Sequence, residues 1–422
     1  MAPWVKSSFF ISFFLNSVIL SNALHYTMKK SNFRIKTNSL HLCLISCFPP
    51  SKGPLSEYTY HLVKHLSGSP LISKLTILAD KVNEEEIFLH EKIEIKRCWN
   101  LNDVFTPLNI LITLRKLKPD LVYFNLVFRH FSANRFKNFV GLITPAITKL
   151  LNVPVVVTLH SIVEAVNLDN IGYRNSRINK FGYQLATKLI LRSDMVTLTH
   201  KRLVEIIKEE YGHSKNIIYV PHGVFEEPIS STNFEGKRLL LFGKMGQYKN
   251  PALAIEAFQE VMVSFKDAEL IIGGSSHPLE PSYLEALIER YKGIPNVKFT
   301  GYIPERDLES TFTSCIAVLL PYSSSVWSSA VFILACIYGR PVIASNLPDF
   351  QELHQEGAGI ILFPTGNKRA LVKAMELILS NKDLQKKLGD ANLQWAKRNR
   401  FDQVINKLIE VFYNVVRKDF AN

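Results

Sequence analysis

Residues Arg238–Pro251 read RLLLFGKMGQYKNP: a short, continuously apolar run, a glycine at its end, two lysines, and a proline that opens a helical pattern. A strand covered on both faces needs unbroken apolar side chains rather than alternation. Proline suits the first turn of a helix, where its missing N–H would lack a partner anyway. The stretch therefore predicts a strand, a tight turn at Gly243 and a helix from Pro251 to Phe265, the opening of a βαβ unit. The same alternation recurs in both directions. Upstream, Leu40–Ser46, Lys74–Ala79, Asp120–Asn125, Pro154–Leu159, Asp194–Thr199 and Asn216–Val220 read as strands. Downstream, Glu269–Gly273, Asn296–Thr300, Ala317–Pro321, Pro341–Ala344 and Gly359–Phe363 do the same. Between the two sets, Glu226–Lys237 (EEPISSTNFEGK) holds Pro, Ser, Asn and Gly without periodicity and reads as a linker. The expected fold class is α/β, with two doubly wound Rossmann-like domains. Ligands of such sheets lie outside the carboxyl ends of the strands.

Composition bounds the function. A chain of 422 residues is long enough for two or three domains, each with its own core. With 47% hydrophobic and 21% charged residues it is neither disordered nor a multi-span membrane protein. Fifty Lys and Arg against 37 Asp and Glu leave a net charge of +13, which favours anionic partners: phosphorylated metabolites, nucleic acid or an acidic membrane face. Cys43, Cys47, Cys98, Cys315 and Cys336 are scattered, with no CxxC pair and no His at metal spacing, which points to a reducing compartment and no structural zinc. Residues 1–30 stand apart. Lys6 precedes the apolar run Ser7–Leu20, too short for a comfortable membrane span. A leader, a short anchor and an over-extended start with Met28 as the true beginning all fit, and the last is preferred.

No strand is followed by GxGxxG, and no GxxxxGK[ST] occurs, which excludes a dinucleotide fingerprint and a P-loop. What the sequence does offer is Gly243, Lys244 and Lys249 ahead of a helix start, where ammonium groups and free amides together suit a diphosphate. Taken alone, such lysines are ordinary solvated charge. Ser328 and Ser329 precede an apolar helix that ends at Gly339; they are equally a plain N-cap or a phosphate site. The segment Phe128–Phe139 (FRHFSANRFKNF) interleaves aromatics with Arg129, His130, Arg135 and Lys137, a mixture that suits an anionic membrane interface or a lipid-linked phosphate, although Phe128, Phe131 and Phe139 also fall on one helical face as core would. Nucleic-acid binding is not expected, since no RNP-type sheet motif accompanies the patch.

In order along the chain, FGKMGQYKN, ELIIGGSS, NVKFTGYIP, VLLPYSS and ACIYGRPVIAS resemble the C-terminal half of glycosyltransferase family 4, retaining sugar transferases of the GT-B fold. CFPPSKGPLSEYTYHLVKHL, VPVVVTLHS, SDMVTLT and NIIYVPHGV are similar to its N-terminal half, so the resemblance spans roughly residues 40–415. It implies two domains facing each other across a cleft: acceptor binding in residues 31–225, nucleotide-sugar binding in 238–400, and a terminal helix, 401–422, crossing back. Gly53 would bring backbone close to the donor diphosphate, and His160 would contact the donor sugar near the reacting carbon. Lys244 and Lys249 would hold the diphosphate, Gly301, Tyr302 and Ile303 the nucleobase, and Ser328 and Ser329 phosphate through their amides. Glu352 matches a family acid of the donor site, against an ordinary solvated helix charge; His222 falls in the interdomain loop. No cofactor and no metal are expected, since no Asp-x-Asp motif is present. A cytoplasmic enzyme, peripheral at the inner membrane face and acting on a glycan or lipid-linked acceptor, is the expectation.

Two departures stand out. The family's Glu-x7-Glu positions hold Val326 and Leu334, neither able to hydrogen-bond a hydroxyl, and SSAVFILA is similar to a small-residue variant of that motif. Pro54 replaces a frequent glycine and supplies no N–H. A non-catalytic nucleotide-sugar or glycan binder is the alternative reading. An epimerase on the same fold would need acid/base residues that the sequence does not reveal.

Overall fold

The computed structural model describes residues 39–53, 55–83, 91–162, 177–213, 215–229, 234–277, 280–324 and 329–417. Pro54, Val326 and Ser328 lie outside the described residues, as do residues 1–38.

Two parallel sheets form. The first holds β1 (Leu40–Ile45), β2 (Ile72–Asp80), β3 (Ile93–Trp99), β4 (Leu121–Leu126), β5 (Val155–Leu159), β6 (Met195–Leu198) and β7 (Ile217–Tyr219), in the order β3-β2-β1-β4-β5-β6-β7. The second holds β8 (Arg238–Phe242), β9 (Glu269–Gly273), β10 (Val297–Gly301), β11 (Ala317–Leu320), β12 (Val342–Ser345) and β13 (Ile360–Phe363), in the order β10-β9-β8-β11-β12-β13. Every strand of the second sheet coincides with an apolar run of the sequence. In the first sheet β3 was not anticipated. Its sequence, IEIKRCW, alternates apolar with charged residues and is half-exposed along most of its length, because it is the edge strand and needs no continuous apolar cover.

In both sheets the strand order reverses between the first and fourth strands, at β1/β4 and at β8/β11. The crevice outside the carboxyl ends of these pairs is where open α/β sheets bind ligands. One face of the first sheet is packed by helices Thr106–Leu117, Arg135–Leu142, Arg177–Ile190 and Lys201–Tyr211, the other by Ser56–Ser67 and Phe401–Arg417. Phe401, Val404, Leu408 and Phe412 of this helix are all buried there, so it crosses back to the lobe that holds β1. The two crossings between lobes touch: Val224 N–H donates to Asn399 O at 2.8 Å, and Phe401 N–H donates back to Val224 O at 2.8 Å. Among the described residues no helix is long and apolar enough to cross a membrane.

Candidate functional site

The turn after β8 positions the second lobe's cations. Gly243 has φ 112°, a left-handed geometry that costs a side-chain-bearing residue dearly, and a Cβ there would sit 2.9 Å from Lys249 Nζ. The chain then forms a short 3-10 turn, Gln247–Lys249, before Pro251 opens the next helix. Lys249 thereby folds back beneath its own turn, 4% exposed. Its Nζ donates to Phe242 O at 3.0 Å and to Tyr322 Oη at 3.0 Å, bridging the carboxyl ends of β8 and β11 at the switch point. Both partners are neutral, and no carboxylate pairs with it among the described residues. Burial pushes its pKa below the ordinary lysine value. Lys244, by contrast, is exposed.

Ser329 caps the helix Ala330–Ile337, its Oγ accepting from Phe332 N–H at 3.3 Å. Val331 packs over Gly243, so the start of this helix closes the same corner as Lys249. Gly301 ends β10 with φ 68° and accepts Gly274 N–H at 2.7 Å. Tyr302 is 70% exposed, and Ile303 packs beside Gly273 at the end of β9. Thr300, Tyr302 and Ile303 wall a hollow of about 340 Å³ that runs down to Arg238 at the opposite end of β8, so it follows the sheet face rather than sitting only at the switch point.

The first lobe gathers a second set. Ser46 follows β1, Asn125 lies in β4 and His160 follows β5, so all three meet at the β1/β4 switch point. His160 Nε2 is 2.8 Å from Asn125 Oδ1, Asn125 Nδ2 donates to Thr59 Oγ1 at 3.2 Å, and Thr59 Oγ1 donates to Ser46 Oγ at 2.8 Å. With Nε2–H donating, His160 is left with a lone pair at Nδ1, which is buried and has no partner. Tyr58 packs edge-on against the rings of both His160 and His222, at 4.8 and 4.5 Å between centroids, and donates to His222 O at 3.2 Å. Burial first, then neighbouring imidazoles, holds His160 well below the usual histidine range and His222 at about 4, so both are neutral at pH 7.

Two of the expected donor-site residues have partners within the chain. Gly53 N–H is already donated to Ser51 Oγ at 3.0 Å, and the glycine is required because a Cβ would lie 2.5 Å from Cys47 Sγ. The loop is held from below: Asp80 accepts from Ser51 Oγ and, at 3.3 Å, from Phe48 N–H, while Arg97 donates to Pro49 O at 2.7 Å and Asp80 O at 2.8 Å. Glu352 is engaged between the lobes. Its carboxylate accepts Lys201 N–H at 2.7 Å and Arg202 N–H at 3.1 Å, capping a helix of the first lobe. A carboxylate at a helix N-terminus meets unpaired amides and the positive end of the dipole. The Phe128–Phe139 patch also divides: Phe128, His130 and Phe131 are core, leaving Arg135 and Phe136 exposed. Tyr322, Asn125 and Tyr58 went unassigned in the sequence. Asn125 carries the clearest signal, a lone amide inside the apolar run LVYFNL. All five cysteines are free thiols, and among the described residues no group of three or more His, Cys, Asp or Glu is placed to hold a metal ion.

Residues 225–395 match the family described as Glycosyl transferases group 1. A phosphatidyl-myo-inositol mannosyltransferase of Mycobacterium leprae is 24% identical over 206 residues, which take in 47% of this chain and 54% of that protein. Among solved structures, sucrose-phosphate synthase from Thermosynechococcus elongatus superposes with a TM-score of 0.68 at 15% identity, covering 89% of this chain and 99% of that one. HepE of Anabaena, in complex with UDP and glucose, superposes with a TM-score of 0.63 at 15% identity and the same coverage of both chains. These likenesses establish the GT-B fold.

Proposed function

We propose that this chain, which belongs through residues 225–395 to the group 1 glycosyl transferases, moves a sugar from a nucleoside-diphosphate donor to a hydroxyl acceptor with retention of configuration. One observation carries the reading. Lys249 is a buried ammonium with neutral partners only, placed at the switch point of the second sheet. A buried charge without a counter-ion is costly, and an ammonium has three N–H donors, of which Phe242 O and Tyr322 Oη take two. A donor diphosphate supplies both the counter-charge and the acceptor for the third.

In this reading the leaving diphosphate gains charge as the glycosidic bond breaks, and Lys249, exposed Lys244 and the helix start at Ala330 stabilise that charge from fixed positions. The amide of Ser329 extends the same phosphate cradle. Gly301, Tyr302 and Ile303 flank the nucleobase. His160, neutral and fixed through Asn125, offers its Nδ1 lone pair to a sugar hydroxyl near the reacting carbon. Gly53 brings backbone close to the donor diphosphate, His222 lies in the interdomain loop against Tyr58, and no metal is required. The acceptor class is a glycan or lipid-linked glycan, its lipid side supported by the phosphatidyl-myo-inositol in the name of the mannosyltransferase relative, and the enzyme works in the cytoplasm at the inner face of an anionic membrane.

The test is calorimetric titration with UDP, GDP and ADP, followed by donor hydrolysis with the corresponding nucleotide sugars. Binding of one diphosphate with slow donor hydrolysis is expected. Binding without any turnover would favour the non-catalytic binder, and no binding by any diphosphate would overturn the reading.

A further inference from the structure

The outer layer of the first lobe is unusual in charge and in polarity. Helices Thr106–Leu117, Arg135–Leu142 and Arg177–Ile190 lie side by side over one face of the sheet, with the short turns Thr144–Thr148 and Lys149–Leu151 among them. Their sequences hold eight Lys and Arg and not one Asp or Glu. Asn102 Oδ1 accepts from Ser132 Oγ at 2.7 Å and from Ala133 N–H at 3.2 Å, tying together the loops that lead into the first two helices. Large apolar side chains also point outward. Phe105, Leu108, Ile112, Phe136, Phe181 and Leu185 are between 37% and 68% exposed, although Ile110, Leu114, Tyr183 and Ile190 already supply the inner, core-facing stripe of the same layer. Helix Thr106–Leu117 is thus apolar on both sides, a pattern expected of a covered helix rather than a solvated one. Acids border the layer: Asp103 accepts from Phe105 N–H at 2.9 Å, Asp194 pairs with Lys149 at 2.5 Å, and the next helix, Lys201–Tyr211, carries Glu205, Glu209 and Glu210.

We propose that this face, rather than the Phe128–Phe139 segment alone, docks on an anionic lipid bilayer, seating Phe105, Leu108, Ile112 and Phe136 in the headgroup zone while the surrounding cations meet lipid phosphates. The inference rests on the membrane-peripheral reading given above and supplies its surface. Exposed apolar patches of this kind mark interaction sites, and aromatic and aliphatic side chains framed by Lys and Arg are the composition of interfacial attachment. Charge selects the occupant. The apolar run Ser7–Leu20 of the same chain could cover an apolar patch, but residues 1–38 contain no Asp or Glu and five Lys or Arg, so they cannot neutralise it. A second copy would bring the same excess of cations.

The experiment uses the full chain with vesicles of phosphatidylcholine alone or mixed two to one with phosphatidylglycerol, at low and high salt. The wild type should partition at least tenfold more strongly to the anionic vesicles at low salt and lose most of that preference at high salt. Arg115→Gln/Lys116→Gln/Lys137→Gln should weaken anionic partition about fivefold for each cation that lies near the surface. Phe105→Ser/Leu108→Ser/Phe136→Ser should weaken partition further at high salt, where apolar seating dominates. Wild-type indifference to anionic vesicles, or undiminished binding by the glutamine variant, overturns the proposal; undiminished binding would assign attachment to Ser7–Leu20. Should the serine variant fold poorly by thermal melting, the glutamine variant, altered only at half-buried or exposed side chains, decides alone. Diphosphate titration on the same preparations separates the two readings: lost vesicle binding with intact diphosphate binding removes only the surface, and the converse removes only the donor site.

Discussion

Glu352 and Lys201 join the two lobes: the carboxylate on helix Pro348–Gln355 accepts the Lys201 backbone N–H at 2.7 Å, so a side chain of one lobe caps a helix of the other. His200 Nδ1 lies 4.0 Å from the same carboxylate, and Glu356, one turn on, pairs with Lys201 Nζ at 2.8 Å and accepts from Tyr219 Oη at 3.1 Å. Glu352→Ala should cost about 1 kcal/mol of stability, the usual value of a lost cap, and lower turnover while leaving diphosphate affinity within twofold, because Lys249 is untouched. Glu352→Gln, which keeps an acceptor oxygen, should recover part of the turnover. Steady-state rates and calorimetry on the same preparations check this. A Glu352→Ala variant that loses diphosphate affinity would return the carboxylate to the donor site.

His130 predicts a pH dependence of stability. Both ring nitrogens are buried without a hydrogen-bond partner, among Trp99 and Phe131, and burial lowers its pKa to about 3. The unfolded chain takes up a proton as pH falls below about 6.5, whereas the folded chain does not until about 3, so stability is lost through that window. His130→Leu removes the loss. It should stabilise by about 2 kcal/mol more at pH 5 than at pH 8, from the linkage of about 1.36 kcal/mol per pH unit. Urea melts at the two pH values measure the difference. Equal stabilisation at both would place the histidine's cost in packing alone.

Much of the fold was legible because parallel strands covered on both faces leave unbroken apolar runs, and VVVTL, LLLF, ELIIG and AVLL occupy β5, β8, β9 and β11. The edge strand β3 escaped for the converse reason: Glu94 and Lys96 point to solvent and to each other, paired with Lys74, so the strand has no apolar signature. The site was legible only in part. That Lys249 lies beside a helix start follows from the strand and the proline after it, but its burial beneath Gly243 depends on Tyr322, 73 residues away. The partner of Glu352 is an amide 151 residues distant. Partnerships at such separation leave no local pattern, and the role of Arg97 in holding the Phe48–Gly53 loop is hidden in the same way.

The proposed charge stabilisation by Lys244, Lys249 and a helix start also predicts behaviour toward metal removal. Excess EDTA should leave the initial transfer rate unchanged, and added Mg²⁺ should not raise it, because fixed cations already face the leaving group. A rate abolished by chelator and restored by Mg²⁺ would mean that a divalent ion, not the lysines, carries the diphosphate charge.

Lys249 supplies the sharpest test, since its burial makes its charge conditional. In the free protein burial lowers its pKa below the ordinary lysine value. Within the window between the two values the unfolded chain binds more protons than the folded one, so stability should rise with pH there. A bound diphosphate reverses the balance: its negative charge favours the protonated ammonium and pulls the pKa back up. Diphosphate binding within that window should therefore be accompanied by proton uptake, read from calorimetry in buffers of different ionisation enthalpy. Lys249→Met, which replaces the ammonium with an apolar chain of similar length, should abolish that uptake. It should also weaken diphosphate binding roughly ten- to hundredfold, the loss of one charge-assisted hydrogen bond of about 1.5–3 kcal/mol. The folded state should be no less stable, because an uncompensated buried charge is removed. If the variant binds diphosphate as tightly as the wild type, the anion lies elsewhere and Lys249 serves only to tie β8 to β11 through Tyr322.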